Sequence, residues 1–170
     1  MDSNTADVEI PKNFTFEKVD ISLSTGDVDC CAAVTQTLEI KTSTGDVRVE
    51  RISAGTLDIS VSTGDVYLAD IRCKNVISSG STGDITLKNV IATEKFSIQR
   101  DTGDVKLESV DAGEIYIETD TGDVRGTLLT DKIFLTQTDT GSADVPNTTT
   151  GGKCEIHTDT GDIKISIANG

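Results

Sequence analysis

The stretch Leu57-Asp58-Ile59-Ser60-Val61-Ser62-Thr63-Gly64-Asp65-Val66-Tyr67-Leu68 decides the fold. Leu57, Ile59 and Val61 alternate with Asp58, Ser60 and Ser62, which is the period of a strand with one buried face. Past Gly64-Asp65 the apolar residues are Val66 and Leu68, so the phase has moved from odd to even positions. A straight strand that changes phase turns its apolar set to the opposite face. The chain must therefore turn a corner at Gly64-Asp65. A second short break falls at Ala69-Asp70, after which Ile71 and Cys73 point inward again, and the next unit begins at Asn75-Val76.

The same unit recurs along the whole chain. Its Thr-Gly pair places glycines at 26, 45, 64, 83, 103, 122, 141 and 161, at intervals of 19 or 20 residues. A degenerate copy opens the chain at Asn4-Thr5-Ala6-Asp7-Val8-Glu9-Ile10, with Ala6 in the glycine place. Val19/Ile21, Leu38/Ile40, Phe96/Ile98, Ile115/Ile117 and Cys154/Ile156 match before the corner; Val47/Val49, Ile85/Leu87, Val105/Leu107 and Ile163/Ile165 match after it. No segment carries helical periodicity of useful length. An all-strand unit of this size predicts one coil of a β-solenoid, each coil pairing in parallel with the next. Eight or nine coils at roughly 4.8 Å each give a rod about 40 Å long. A propeller blade needs about 40 residues, twice the observed period, and a sandwich does not repeat its sequence this strictly.

Each residue of the corner has a structural role. Glycine supplies positive φ without a Cβ clash. Aspartate after it accepts hydrogen bonds from nearby backbone amides in an Asx-type turn. Threonine before it lies in phase with the buried residues, which predicts an inward hydroxyl ladder between coils. The aspartates also raise functional readings. Asp-Thr-Gly at 101–103, 120–122, 139–141 and 159–161 matches the aspartic protease signature, but those enzymes bring two such motifs across a cleft to share a proton, whereas here the motif recurs at coil spacing. Stacked carboxylates repel by roughly 1 kcal/mol at 4 Å in water, and a bound Ca²⁺ would relieve this. The residues for such an ion are Asp101, Asp104, Asp120, Asp123, Asp159 and Asp162; the simpler reading, with each carboxylate held by backbone amides and solvent, is preferred. Thr-x-Thr pairs such as Thr42/Thr44 and Thr158/Thr160 suggest ice-binding arrays, which must face solvent, whereas parity points these threonines inward.

Composition narrows the function. With 15 basic and 29 acidic residues the net charge is −14, which excludes the basic face that nucleic acid or an anionic lipid surface requires. No run of about 18 apolar residues is present to insert in a membrane. Cys30, Cys31, Cys73 and Cys154 show no paired spacing, so neither zinc nor a disulfide framework is indicated; alternation puts Cys30 inward and Cys31 outward. His157, the only histidine, sits at an outward strand position without a Cys or His beside it, as a surface side chain. Asn13-Phe14-Thr15 and Asn147-Thr148-Thr149 fit the glycosylation sequon, to which no weight is given. No residue is assigned a catalytic role, and no cofactor is implied other than Ca²⁺.

The terminal sequences show no amphipathic cap, which predicts a fragment of a longer chain or ends that pair with another chain. Gly141-Ser142-Ala143-Asp144-Val145-Pro146 and the threonine-rich stretch after it are expected to be a local deviation in the penultimate coil. The Ser/Asp-Thr-Gly-Asp-Val units, with Val90-Ile91-Ala92-Thr93-Glu94-Lys95-Phe96 and Thr149-Thr150-Gly151-Gly152-Lys153, resemble a bacterial family of adhesin-like β-solenoid domains of unknown function. They are similar as well to the head domain of auto-transporter adhesins. The resemblance covers essentially the whole chain as one domain, 1–170. It implies a right-handed β-solenoid in a cell-envelope or extracellular protein, often behind a membrane anchor, and no established activity or functional residue. The expected function is a non-enzymatic surface module for binding a protein or glycan, or for spacing, with end-to-end or edge self-association open. An envelope-stress or signalling scaffold is the alternative, and a polysaccharide-acting enzyme a distant third.

Overall fold

A computed structural model describes residues 2–168, which form strands and no helix. In chain order the strands are β1 (Asp2–Thr5), β2 (Val8–Ile10), β3 (Thr15–Thr25), β4 (Val28–Cys30) and β5 (Ala33–Thr44). There follow β6 (Val47–Glu50), β7 (Thr56–Thr63), β8 (Val66–Thr82), β9 (Ile85–Thr102) and β10 (Val105–Thr121). The last are β11 (Val124–Leu128), β12 (Lys132–Thr140), β13 (Ala143–Asp144), β14 (Gly152–Thr160) and β15 (Ile163–Ile167). Every ladder is parallel, and partners lie one coil apart along most of the chain, as in Leu38↔Leu57 and Leu57↔Val76. The result is a parallel β-solenoid of about eight turns.

Three corners shape each coil. The first is Thr-Gly-Asp. The second, in four of the coils, is a non-glycine residue in the left-handed region: Arg51, Asp70, Asn89 and Ser109 have φ of 52–55°. The third absorbs the variation in repeat length. Cys73 pairs with Ala92, 19 residues on, but Asn75 pairs with Lys95, 20 residues on, so the extra residue of that coil bulges at Thr93–Glu94.

Inside the coils, side chains form columns. Val8, Val28, Val47, Val66, Ile85, Val105, Val124 and Ile163 stack in register after the corner. Val and Ile suit parallel strands packed on a common core because their branched Cβ fits the pleat. Each such side chain contributes roughly 1.5–3 kcal/mol on burial, and the columns merge into one continuous core.

The final two coils are stacked out of sequence order. β14 pairs with β10 on one side and with β12 on the other: Ile156 lies between Ile117 and Thr136. Likewise β15 lies between β11 and β13. The chain therefore lays down its outermost coil first, through β12 and β13, and then returns to fill the gap. This corrects the expectation of a local deviation in the penultimate coil: the irregular copy forms the outermost coil. The physical reason is the inward face of each coil. Cys154, Ile156, Ile163 and Ile165 are apolar and buried, whereas β12 turns Lys132, Phe134, Thr136 and Thr138 inward and leaves Ile133 and Leu135 44% and 50% exposed. Burying unpaired hydroxyls between two apolar coils costs roughly 1–3 kcal/mol each. The polar coil is stable at the end of the rod, where water reaches one side. There Lys132, only 3% exposed, donates to Asp111 Oδ1 at 2.7 Å, and the Thr138 hydroxyl donates to the Gly161 carbonyl at 2.9 Å.

Candidate functional site

The Thr-Gly-Asp corner makes the most regular surface on the rod. Gly64 has φ of 145°, and a Cβ there would overlap the Gly45 carbonyl oxygen of the neighbouring coil. The backbones close on each other through Gly45 N–H donating to Thr63 O at 3.0 Å and Val47 N–H to Asp65 O at 2.9 Å.

The aspartates bridge coils rather than bonding within their own turn. Asp46 N–H donates to Asp27 Oδ1, Asp65 N–H to Asp46 Oδ1 and Asp84 N–H to Asp65 Oδ1, each at 2.8 Å. The series continues through Asp104, Asp123 and Asp162 at 2.9, 2.8 and 2.7 Å, and ends where Ser142 N–H donates to Asp162 Oδ1 at 2.8 Å. It follows the spatial order of the coils, not the order of the chain. The Ser142 amide and hydroxyl also hold the Asp162 carboxyl below its ordinary range.

The corner threonines depart from expectation. Thr25, Thr44, Thr63, Thr82, Thr102 and Thr121 are exposed. The bend begins at this residue and carries its Cβ over the edge of the coil, so strand parity fails one residue before the glycine. The inward hydroxyl ladder belongs to the residue two earlier. Thr42, Thr119 and Thr158 are buried and donate to the carbonyls of Gly26, Gly103 and Gly122 at 3.5, 3.3 and 3.1 Å. In each Thr-x-Thr pair one hydroxyl thus serves the core and one meets solvent.

The six aspartates considered for Ca²⁺ fall on two sides of the corner. Asp104, Asp123 and Asp162 belong to the carboxylate ladder, while Asp101, Asp120 and Asp159 are at outward positions before it. Among the described residues no group of three or more His, Cys, Asp or Glu side chains converges as metal ligands do. A cleft of about 280 Å³ beside the C-terminal part of the ladder is lined by Asp84, Asp104 and Asp123 together with Lys106 and Arg125. Arg125 pairs with Asp123. The chain thus supplies its own cations there. A second cleft, about 570 Å³, flanks the N-terminal part. It is lined by Asp27, Asp29, Asp46, Asp65, Asp7 and Glu9, with Arg48 seated 5.0 Å from the Tyr67 ring centre. Acidic side chains dominate this cleft, at the end of the rod opposite to the six aspartates.

A smaller polar network lies on the outward face of β10 and β14. His157 Nε2 is 2.9 Å from Glu155 Oε1, and the Tyr116 hydroxyl donates to Glu118 Oε2 at 2.7 Å. That bond pushes the Tyr116 phenol up to about 12, while Glu118 is held down by Gln99 and Tyr116. These are strand-surface contacts without a cavity or a nucleophile. All four cysteines are free, with Cys30 buried and Cys31 half-buried as alternation predicts. Burial pushes the Cys73 and Cys154 thiols up to about 11 and about 12, which makes them poor nucleophiles.

Two buried charges, Lys132 and Arg100, escaped the sequence reading. Arg100 is 2% exposed; it passes through the space that a side chain at Gly80 would fill and donates to the Val61 carbonyl at 3.1 Å. Its Nε has no partner, and desolvation lowers its pKa. The signal was present as a pair: the inward position held by Thr42 and Val61 becomes Gly80 and then Arg100 in successive coils.

The fold and its corner ladder define a parallel β-solenoid whose most regular surface is a row of carboxylates bonded to backbone amides. The model of the Toastrack DUF4097 family matches residues 1–76 and 54–170, and the chain belongs to that family of β-solenoid-like domains of unknown function. No curated protein and no solved structure matches it.

Proposed function

We propose that this chain is a non-enzymatic, adhesin-like module of the cell envelope or extracellular surface, which presents a rod for binding a protein or glycan, or for spacing. One observation carries the reading. Inner and corner side chains repeat from coil to coil and are consumed in stacking, whereas the outward positions vary, as Asp58, Ile77, Ser97 and Tyr116 do along one face. Variable outward residues on a rigid repeat are where such scaffolds place recognition. The net charge of −14 favours partners other than nucleic acid or anionic lipid. Strand edges at the ends of the rod support self-association as a further mode. Among the described residues β12 pairs only with β14, and its Ile133 and Leu135 are exposed.

The test is a binding screen of the folded rod against a glycan array, matrix proteins and Ca²⁺. Saturable binding that is lost when outward residues are changed, with the melting temperature kept, supports the reading. Uniform absence of binding would remove the adhesin-like role for this chain.

A further inference from the structure

The coil built from β14 and β15 occupies a slot. Its floor is β10 and β11, its roof is β12 and β13, and it is in register with both. Cys154 lies between Ile115 and Phe134, and Ile163 between Val124 and Ala143. The roof holds to the floor through the Lys132–Asp111 ion pair at 2.7 Å, across the level of the inserted coil. Residues 152–167 thus behave as a ligand that fills a site formed by the preceding chain, joined to it by residues 145–151. That linker, Val-Pro-Asn-Thr-Thr-Thr-Gly, contains no strand.

We propose that residues 152–167 are an exchangeable arm, and that the slot they fill accepts the same arm from a second copy of this chain. The fit needs no new contact. An exchanged arm makes the same two ladders, the same Asp162 carboxylate bonds to Ser142 and the same burial of Ile156, Ile163 and Ile165. Swapping an identical element is a low-cost route to a dimer for this reason. Only the linker decides between a chain's own arm and its partner's. In the closed monomer the linker makes the arm intramolecular, which gives it a high effective concentration, so the monomer prevails while the linker is long enough.

The geometry sets that length. Gly152 pairs with Lys132 at the start of β12, and the preceding corner is Gly141 at its end. From Lys132 to Thr140 there are eight strand steps of about 3.3 Å, or about 26 Å. The natural connection from Gly141 to Gly152 has eleven steps and reaches about 40 Å when extended. Deleting residues 147–151 leaves six steps, at most about 22 Å, so a chain cannot seat its own arm in register.

The experiment is light scattering with size exclusion on the full chain carrying the 147–151 deletion, refolded from urea beside the unaltered chain. Dimers or larger rings with the unaltered strand content are expected, and a monomer would overturn the proposal. If the deletion variant does not fold, the unaltered chain decides the question, refolded over a hundredfold range of concentration as a mixture of tagged and untagged copies. The tagged–untagged dimer fraction is expected to rise about tenfold per tenfold concentration while it is the minor species. That dimer should survive dilution and revert to monomer only after unfolding. Monomer at every concentration, or a dimer that dissociates on dilution as an edge-stacked pair would, contradicts the arm exchange. Neither result bears on ligand binding by the outward face.

Discussion

Gly64 and Ser109 mark the two kinds of corner, and they respond to substitution in opposite directions. At Gly64 any side chain must adopt a strained φ and displace the carbonyl of the next coil. Gly64→Ala is expected to cost at least about 2 kcal/mol in urea unfolding, since backbone strain of roughly 1–3 kcal/mol at φ 145° adds to the overlap. Ser109 already bears the left-handed penalty, roughly 1–2 kcal/mol, at φ 55°. Ser109→Gly relieves it against the entropy glycine loses on folding, so a gain of up to about 1 kcal/mol is expected from the same measurement. Loss of stability in Ser109→Gly would mean that the hydroxyl, not the backbone, governs the second corner. The ladder makes a pH prediction at Asp162, whose folded pKa lies below the usual carboxylate value. A depressed pKa contributes stability that is present above the unfolded value and lost as pH falls through the folded one. The protection of the Ser142 amide relative to its intrinsic exchange rate should therefore fall below about pH 4, ahead of protection in the β7–β8 ladder. Because each corner carboxylate already accepts a backbone N–H, millimolar Ca²⁺ is expected to leave the melting temperature unchanged; a rise in Tm would assign the aspartates a cation site.

Between elements, the Gly80–Arg100 pair locks two neighbouring coils together. Gly80→Val places a side chain where the Arg100 guanidinium lies, and should destabilise severely on its own. In an Arg100→Thr background, which restores the residue type found at Thr119, the same substitution should cost less, the remaining loss being its overlap with the Val61 carbonyl oxygen. A double-mutant cycle is expected to show coupling of at least about 2 kcal/mol; additive effects would place the two side chains apart. This pair also shows what the sequence could and could not disclose. The repeat, the phase change at each Gly-Asp and the inward residues were readable because a strand's period is local and the unit recurs many times. The corner threonines were misplaced because parity was carried one residue into a bend. Arg100 was missed because its site exists only where two coils meet. The order of the last coils was missed for a similar reason. Stacking order is decided by a comparison between inward faces, above all Thr136 against Ile156, which no single unit contains.

At the scale of the whole molecule, the reversed stacking of the last two coils puts β12 and β13 outermost and places β14 and β15 inside them. The carboxylate ladder, the corner glycine contacts and the inner columns all pass from β10 and β11 to residues 152–167 and only then to residues 132–144. The arm, the slot and the cap all depend on this order. Long-range amide–side-chain NOEs in the uniformly labelled protein test it most directly. Contacts are expected from Ile117 to Ile156 and from Ile156 to Thr136, with none from Ile117 to Thr136, which lie two coils apart. A direct Ile117–Thr136 contact, with Ile156 on the outer side, would mean that the coils stack in chain order, and neither the slot nor the arm would then exist.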